Sequence, residues 1–222
     1  MIKKTFRICF RWVLLLCFAN SLAWSKDAPP ASSSLTIAVH NDAGVSAAAL
    51  AQAGQVVRGI FHQAGLEVDW VDCGTPADTR PAPEPCRQAI FPTRLQLRIV
   101  LRPRNLSEST FGVSYLSADA IGCYSYLFFA QVQELHENYH AGLGNVLGHV
   151  AAHEIAHLLL GTNSHSPAGI MRAQWHAEEL ASASRGALLF TPAQSRSMRE
   201  RLDGTPAEWK RASVAPATPS GF

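Results

Sequence analysis

The sequence lacks a strong excess of charge of one sign and lacks an apolar run long enough to cross a membrane. Its 19 Lys and Arg residues against 17 Asp and Glu residues give a net charge of only +2. The apolar run near its start covers residues 12–19, whereas a membrane-spanning helix needs about 20 apolar residues. No separate targeting or carbohydrate-binding module is recognisable either. These absences leave the function to be found within one domain.

The first 23 residues have the pattern of a secretory signal peptide. The stretch Ser21-Leu22-Ala23 follows the apolar run, and its small residues Ser21 and Ala23 stand at the positions needed for cleavage after Ala23. A lipoprotein attached at Cys17 is disfavoured because the bulky Leu16 precedes it. We therefore predict a secreted or periplasmic protein with no membrane contact after signal removal. The basic residues before the run are Lys3, Lys4, Arg7 and Arg11.

Removal of this leader changes the charge balance and defines the rest of the chain. Losing four of the 19 basic residues leaves 15 against 17 acidic residues, a net charge of −2, so we expect no nucleic-acid partner. We predict a disordered Pro/Ala/Ser-rich linker over 24–34, a single catalytic domain over 35–203 and a disordered tail over 204–222. No long propeptide follows the leader, so we do not expect latency through a cleaved pro-segment.

Three of the five cysteines lie beyond the leader. Cys73 and Cys86 bracket a Pro-rich loop and are natural disulfide partners in an exported protein. Closing a loop of this length stabilises the fold by about 3 kcal/mol in the chain-entropy account. Cys123 has no partner pattern around it, so we expect a buried thiol rather than a metal ligand or nucleophile.

Apolar periodicity predicts the order β-α-β-β-β-β-helix. Alternating segments predict strands over 35–40, 66–71 and 95–101, a short edge strand over 111–116 and a buried strand over 124–132. Helical periodicity predicts helices over 46–64, 145–160 and 191–202, with a short helical turn over 175–180. The segment 134–144 is expected to be a polar connection.

The most informative motif is HEIAH at 153–157. On a helix, residues four apart share a face, so His153 and His157 can bind one Zn²⁺ ion. Glu154 is then placed to take a proton from a metal-bound water. Gly161 can end the helix in a left-handed turn and let the chain bring back His165 as third ligand. Three protein ligands and one water are typical of catalytic zinc sites.

Other residues compete for the third position or lie close to the motif. His176, Glu178 and Glu179 are downstream alternatives to His165, because some zinc peptidases take a carboxylate from a second helix. His149 lies one turn before the motif but eight residues from its second histidine, about 12 Å along the axis. We therefore expect His149 to be packed or hydrogen-bonded outside the metal site. The remaining histidines, expected at the surface or in structural roles, are His40, His62, His136 and His140.

The stretch from the motif to Met171 resembles the metzincin clan of zinc metallopeptidases, whose signature is HExxHxxGxxH followed by a Met-turn. Here the pattern is HExxHxxxGxxxH, with one extra residue on each side of the glycine. The resemblance implies His153, His157 and His165 as ligands, Glu154 as base and Met171 as the hydrophobic floor beneath the metal. The stretch is also similar to a motif of secreted bacterial proteins.

The resemblance implies an α+β, zincin-like fold. In that fold a mixed twisted sheet with one antiparallel edge strand packs on two helices, one of which carries HExxH, and a small C-terminal subdomain contains a helix. A peptide substrate would add to the edge strand, which we place near 111–117.

The function predicted from these residues is that of a secreted zinc metalloendopeptidase that hydrolyses peptide bonds of a peptide or protein substrate. A metal-activated water would attack, with Glu154 as general base, and Arg172 or Tyr139 could add a donor to the oxyanion. Two alternatives stay open: a zinc-binding zincin-fold protein without peptidase activity, acting on a non-protein substrate or binding a partner, and an interaction domain with a coincidental motif. The sequence gives no oligomeric state, and we assume a monomer.

Overall fold

A computed structural model describes residues 34–79, 81–102 and 110–205 of the chain. The predicted signal peptide and nearly all of the predicted linker and tail lie outside these residues. Ser34, placed in the linker by the sequence, begins the first strand instead. Among the described residues, no helix is both long and apolar enough to cross a membrane.

The described residues form one mixed sheet of five strands. The strands are β1 (Ser34–Asn41), β2 (Glu67–Asp72), β3 (Arg94–Val100), β4 (Gly112–Tyr115) and β5 (Tyr124–Phe128). Their order across the sheet is β2-β1-β3-β5-β4. All neighbouring pairs are parallel except β4 and β5, so β4 is an antiparallel strand at the sheet edge. This confirms the predicted mixed sheet with one antiparallel edge strand.

Five α-helices accompany the sheet in the described residues. They are α1 (Ala47–Gln63), α2 (Phe129–Tyr139), α3 (Leu143–Leu160), α4 (Ala177–Ser184) and α5 (Pro192–Asp203). The Ser46 hydroxyl caps α1 by accepting from the Ala49 N–H, and Thr191 caps α5 with Pro192 at its first position. The α+β fold class is therefore confirmed.

The strand predicted over 124–132 is wrong in its second half. The chain leaves β5 after Phe128 and continues as α2, which occupies most of the predicted polar connection. The buried side chains Phe129, Val132 and Leu135 are three residues apart, which is a helical period. The change from a strand period to a helix period was missed because a continuous run of apolar and aromatic residues fits both. The predicted turn over 175–180 is likewise a full helix, α4, starting two residues later.

Helices α1 and α3 pack closely against each other and share one hydrophobic core with the sheet. A Cβ atom on Gly148 of α3 would lie 2.6 Å from Val56 Cβ and 2.8 Å from the Ala53 carbonyl oxygen of α1. The glycine therefore permits the close helix contact. Together with contacts to α2, α5 and the sheet, this contact buries α3 on most sides, which fixes the orientation of the motif that it carries.

The cysteines follow the prediction in part. Cys73 and Cys86 form a disulfide bond. Cys123 is a free thiol, but it is only partly buried at the edge of the core. Burial raises the pKa of this thiol above its ordinary value, so it is a poor nucleophile in this setting.

Candidate active site

Helix α3 places His153 and His157 side by side in the interior. Both side chains are buried, and their rings have centroids 4.7 Å apart. The two Nε2 atoms are 3.0 Å apart. The four-residue spacing of the motif thus brings two imidazole nitrogens to one point, as the sequence predicts.

The helix ends where the sequence places its end. Gly161 has a φ of 65° and its N–H donates to the His157 carbonyl oxygen. A Cβ atom here would also lie 2.9 Å from the Ala120 carbonyl oxygen. Glycine is therefore required both by the left-handed backbone and by the space available.

The loop after Gly161 brings back His165. Its ring centroid lies 5.3 Å from that of His153 and 5.1 Å from that of His157. One ring nitrogen from each histidine lies within 4.8 Å of the other two. Of the two additional residues of this motif, one extends α3 to Leu160 and the other lengthens the loop, and neither separates the three imidazoles.

Backbone carbonyls fix the two helix histidines in one tautomer. His153 Nδ1 lies 2.7 Å from the Ile170 carbonyl oxygen, and His157 Nδ1 lies 2.7 Å from that of Thr162. A carbonyl only accepts, so each Nδ1 carries the proton and each Nε2 of a neutral ring exposes a lone pair. Burial, aided by the neighbouring histidine charge, lowers the pKa of His153 to about 3, and burial also lowers that of His157.

This arrangement fits a metal ion. Two Nε2 lone pairs face each other at 3.0 Å, which is unfavourable unless a cation lies beside them. Imidazole nitrogens whose second nitrogen donates to a backbone carbonyl are typical zinc ligands. The three-histidine cluster therefore suits Zn²⁺, the predicted cofactor.

Glu154 faces β4 and β5 from the same helix. Its carboxyl group is buried, and burial raises its pKa to about 8, although a hydrogen bond from Ser114 opposes this rise. Ser114 Oγ lies 2.9 Å from Glu154 Oε2, 2.7 Å from the Glu154 carbonyl oxygen and 2.8 Å from Ser125 Oγ. A Cβ atom on Gly112 would lie 2.5 Å from Glu154 Cδ. The edge strand is thus shaped around this carboxyl group.

A cavity of about 350 Å³ opens beside these groups. The motif residues line it on one side and β4 lines it on the other. Phe111, Val150 and Trp175 give it apolar walls, and Arg172 adds a positive charge. The Trp175 ring contacts the His153 ring edge-on, with centroids 5.8 Å apart.

The competing third ligands lie elsewhere. In the described part of the chain, the metal-ligating groups that converge are the three histidines, without His176, Glu178 or Glu179. Glu179 Oε1 accepts from Arg172, and its Oε2 accepts from the His176 N–H at 2.9 Å, at the start of α4. Its carboxylate is thereby used in capping the helix and in an ion pair.

The other predicted residues take the following positions. His149 is buried outside the cluster, with Nδ1 2.9 Å from the Asn145 carbonyl oxygen, as expected. Met171 is buried, and its carbonyl oxygen accepts from the Ser166 N–H, which closes the turn before it. Tyr139 is exposed at the end of α2 and does not line the cavity.

Several residues of the site belong to no recognisable sequence motif. Ser114, Ser125 and Gly112 were not singled out from the sequence, nor were the carbonyl groups of Thr162 and Ile170. One signal was present: Gly112 and Ser114 alternate in the predicted edge strand, so both lie on one face of it. Nothing local indicated that this face meets Glu154, 40 residues further along the chain.

The sheet order, the helix that crosses it and the three-histidine cluster define a zincin-like metallopeptidase fold. Among solved structures, the chain is similar to archaemetzincin from Methanopyrus kandleri, with a TM-score of 0.51 and 14% identity over 79% of this chain and 99% of that one. It also matches a zinc-dependent peptidase from Methanocorpusculum labreanum, with a TM-score of 0.48 and 14% identity over 73% and 99%. At this identity the first likeness shows the fold alone. No protein-family model and no curated protein matches the sequence.

Proposed function

We propose that this protein is a secreted zinc-dependent endopeptidase of the metzincin type. His153, His157 and His165 hold the metal, and Glu154 is the general base. The observation that carries this proposal is the pair of carbonyl-anchored imidazoles whose Nε2 atoms meet at 3.0 Å beside a buried carboxyl group and an open cavity. A binding module would have no need for that carboxyl group.

A bound zinc ion would polarise the scissile carbonyl and make an attacking water acidic. The chain's own residues then handle the proton. Glu154 accepts it during attack and returns it to the leaving amine. In the metal-free protein burial raises the pKa of Glu154 to about 8. A cation bound beside the carboxyl group would lower that pKa, so that Glu154 is ionised and able to accept the proton.

The two serines can satisfy Glu154 in both protonation states. Each hydroxyl has one proton to donate. When Glu154 is ionised, Ser114 donates to Oε2, and Ser125 donates to the Glu154 carbonyl oxygen 3.3 Å away. When Glu154 is protonated, it donates to Ser114 Oγ, which turns its own proton to that carbonyl oxygen at 2.7 Å. The proton can therefore arrive without leaving a buried polar atom unpaired.

Strand β4 supports a peptide as the substrate. It lies at the edge of the sheet and borders the cavity. An extended peptide could add to this edge through main-chain hydrogen bonds and lie across the cavity mouth. The strand that binds the peptide would be the strand that holds the base.

Zinc content is the first test of this proposal. The purified mature protein should retain about one zinc per chain after dialysis, and the His165→Ala variant should lose much of it, because three ligands become two. Retention by the variant would move the third ligand elsewhere. Absence of metal from both proteins would instead favour the alternative of an interaction domain in which the motif is coincidental.

A second variant separates metal binding from catalysis. Glu154→Gln should keep zinc and lose hydrolysis of a casein or peptide-library substrate, because glutamine cannot accept the proton. Full turnover by this variant would remove Glu154 as base. If the zinc-loaded wild type cleaves no peptide, the protein is a zinc-binding zincin fold with another role.

A further inference from the structure

Arg172 lines the cavity without a role in the proposed chemistry. Its Nη1 forms an ion pair with Glu179 Oε1. The two partners differ in solvent exposure: 39% of the Arg172 side chain is exposed, and 8% of the Glu179 side chain is exposed. Arg172 therefore pairs with a buried carboxylate, while part of its side chain stays exposed where the residue lines the cavity.

Glu179 does not depend on Arg172 alone for its charge. Its pKa is lowered first by the hydrogen bond from the His176 N–H, and the Arg172 charge is a smaller cause. A guanidinium carries five N–H donors in a planar fork, and the hydrogen bond to Glu179 uses Nη1. The other N–H groups of the guanidinium are of the kind that bind a second carboxylate.

We propose that Arg172 binds a carboxylate of the substrate, so that the cavity selects peptides with an acidic group at the position it faces. The carboxylate is that of a Glu or Asp side chain or of a free C-terminus. Apolar walls at Phe111, Val150 and Trp175 would contact the carbon atoms that carry it. This inference rests on the proposed function, because it names the substrate class of the same cavity.

If Arg172 selects substrates, its loss changes a different kinetic quantity than if it stabilises the oxyanion. A donor to the oxyanion acts only in the transition state, so its loss lowers kcat for every peptide and leaves ground-state binding alone. A carboxylate-binding group changes affinity in the ground state and only for peptides that carry the acidic group. Binding to a protein that cannot hydrolyse peptides therefore separates the two roles.

The experiment measures peptide binding to the zinc-loaded Glu154→Gln variant by fluorescence anisotropy at low salt. The probes are labelled peptides that differ only in having Glu, Gln or Lys at one of the central positions, each with a C-terminal acid or amide. At the position facing Arg172 we expect the Glu peptide to bind about tenfold more tightly than its Gln partner. The preference should weaken in high salt, since Arg172 is partly exposed. An effect of the C-terminal acid alone would assign the chain terminus as the source.

Three variants of that protein assign the effect to Arg172. Arg172→Gln combined with Glu179→Gln removes both charges, so no unpaired carboxylate stays buried, and should reduce the preference to less than about twofold. Arg185→Gln removes an exposed arginine near the end of α4 and should keep the full preference. If circular dichroism shows the double variant unfolded, Arg172→Lys replaces it. Lysine keeps the charge but loses the planar fork, and the preference should fall at least about threefold.

The outcomes separate this inference from the proposed function. Equal binding of Glu and Gln peptides at every position overturns it, and so does a preference that survives the loss of Arg172, which would assign the carboxylate to the zinc ion. An Arg172-dependent preference in a protein whose wild type hydrolyses nothing would refute the peptidase proposal and retain the carboxylate site. A uniform loss of turnover when Arg172 is replaced in the protein that retains Glu154, without a change in binding, would give Arg172 the oxyanion role instead.

Discussion

Replacing Glu154 by glutamine should change how the stability of the metal-free protein depends on pH. Burial raises the pKa of Glu154 from 4.5 to about 8. Between these values the native state holds a proton that the unfolded state has released. The stability that this protonated group contributes is complete below about pH 4.5 and is lost as the pH rises through about 8. Glutamine does not titrate, so the variant lacks this loss.

The magnitude follows from the size of the pKa shift. Each pKa unit corresponds to about 1.4 kcal/mol, so from about pH 5.5 to about pH 8 the free energy of unfolding should fall by about 3 kcal/mol more in the wild type than in the variant. His153 acts in the opposite sense. Its pKa is lowered to about 3, so both proteins lose stability as the pH falls below about 6.5. Neither residue is among the causes of the other's pKa shift, so this contribution is expected in both proteins and is subtracted in the comparison.

The assay is urea unfolding followed by far-ultraviolet circular dichroism, with a chelator present and the disulfide intact. Glu134→Gln makes the same chemical change at an exposed position of α2 and serves as the control. Its curve should stay parallel to that of the wild type. If the Glu154→Gln curve is also parallel, the carboxyl group is not buried in the way the structure shows.

Three further changes test the surroundings of the base and the disulfide. Gly112→Ala should lower kcat about tenfold or more with zinc retained, because the new methyl group displaces the Glu154 carboxyl group. Gly59→Ala, on an exposed and uncrowded turn of α1, should instead stabilise the fold by about 0.5–1 kcal/mol; equal activity of the two variants would contradict the contact. Ser114→Ala should raise the pKa of Glu154, because a hydrogen bond that lowers this pKa is lost. The acidic limb of the pH–rate profile should then move to higher pH, and an unmoved limb would argue against the hydrogen bond. Cys73→Ser should reduce the free energy of unfolding by about 3 kcal/mol in urea titrations, and an unchanged midpoint would mean that the closed loop does not constrain the unfolded chain.

The parts of this protein that sequence could predict are those governed by local periodicity. The four-residue spacing of the two helix histidines and the left-handed turn at Gly161 both depend on neighbours in the chain. Alternation likewise located the strands, whereas the antiparallel direction of the edge strand was implied by the family resemblance. The boundary at Phe128 was missed, because a continuous apolar segment satisfies both the strand period and the helix period.

The parts that could not be predicted depend on contacts between distant segments. The sequence left the third ligand open between His165 and the residues of α4. Only the folded loop shows that His165 approaches while Glu179 is held by Arg172 and the start of α4. The meeting of Ser114 with Glu154 is of the same kind, since it depends on β4 lying across α3 and not on any motif.

The position of Gly112 and Ser114 on the edge strand links two steps of the proposed reaction. If a peptide pairs with β4, it pairs with the strand on which Gly112 leaves room for the Glu154 carboxyl group and Ser114 donates a hydrogen bond to it. A change in the backbone of β4 would then alter peptide register and base geometry together. For this reason substitutions in β4 should lower kcat and raise KM in parallel, whereas Arg172 substitutions should discriminate among peptides.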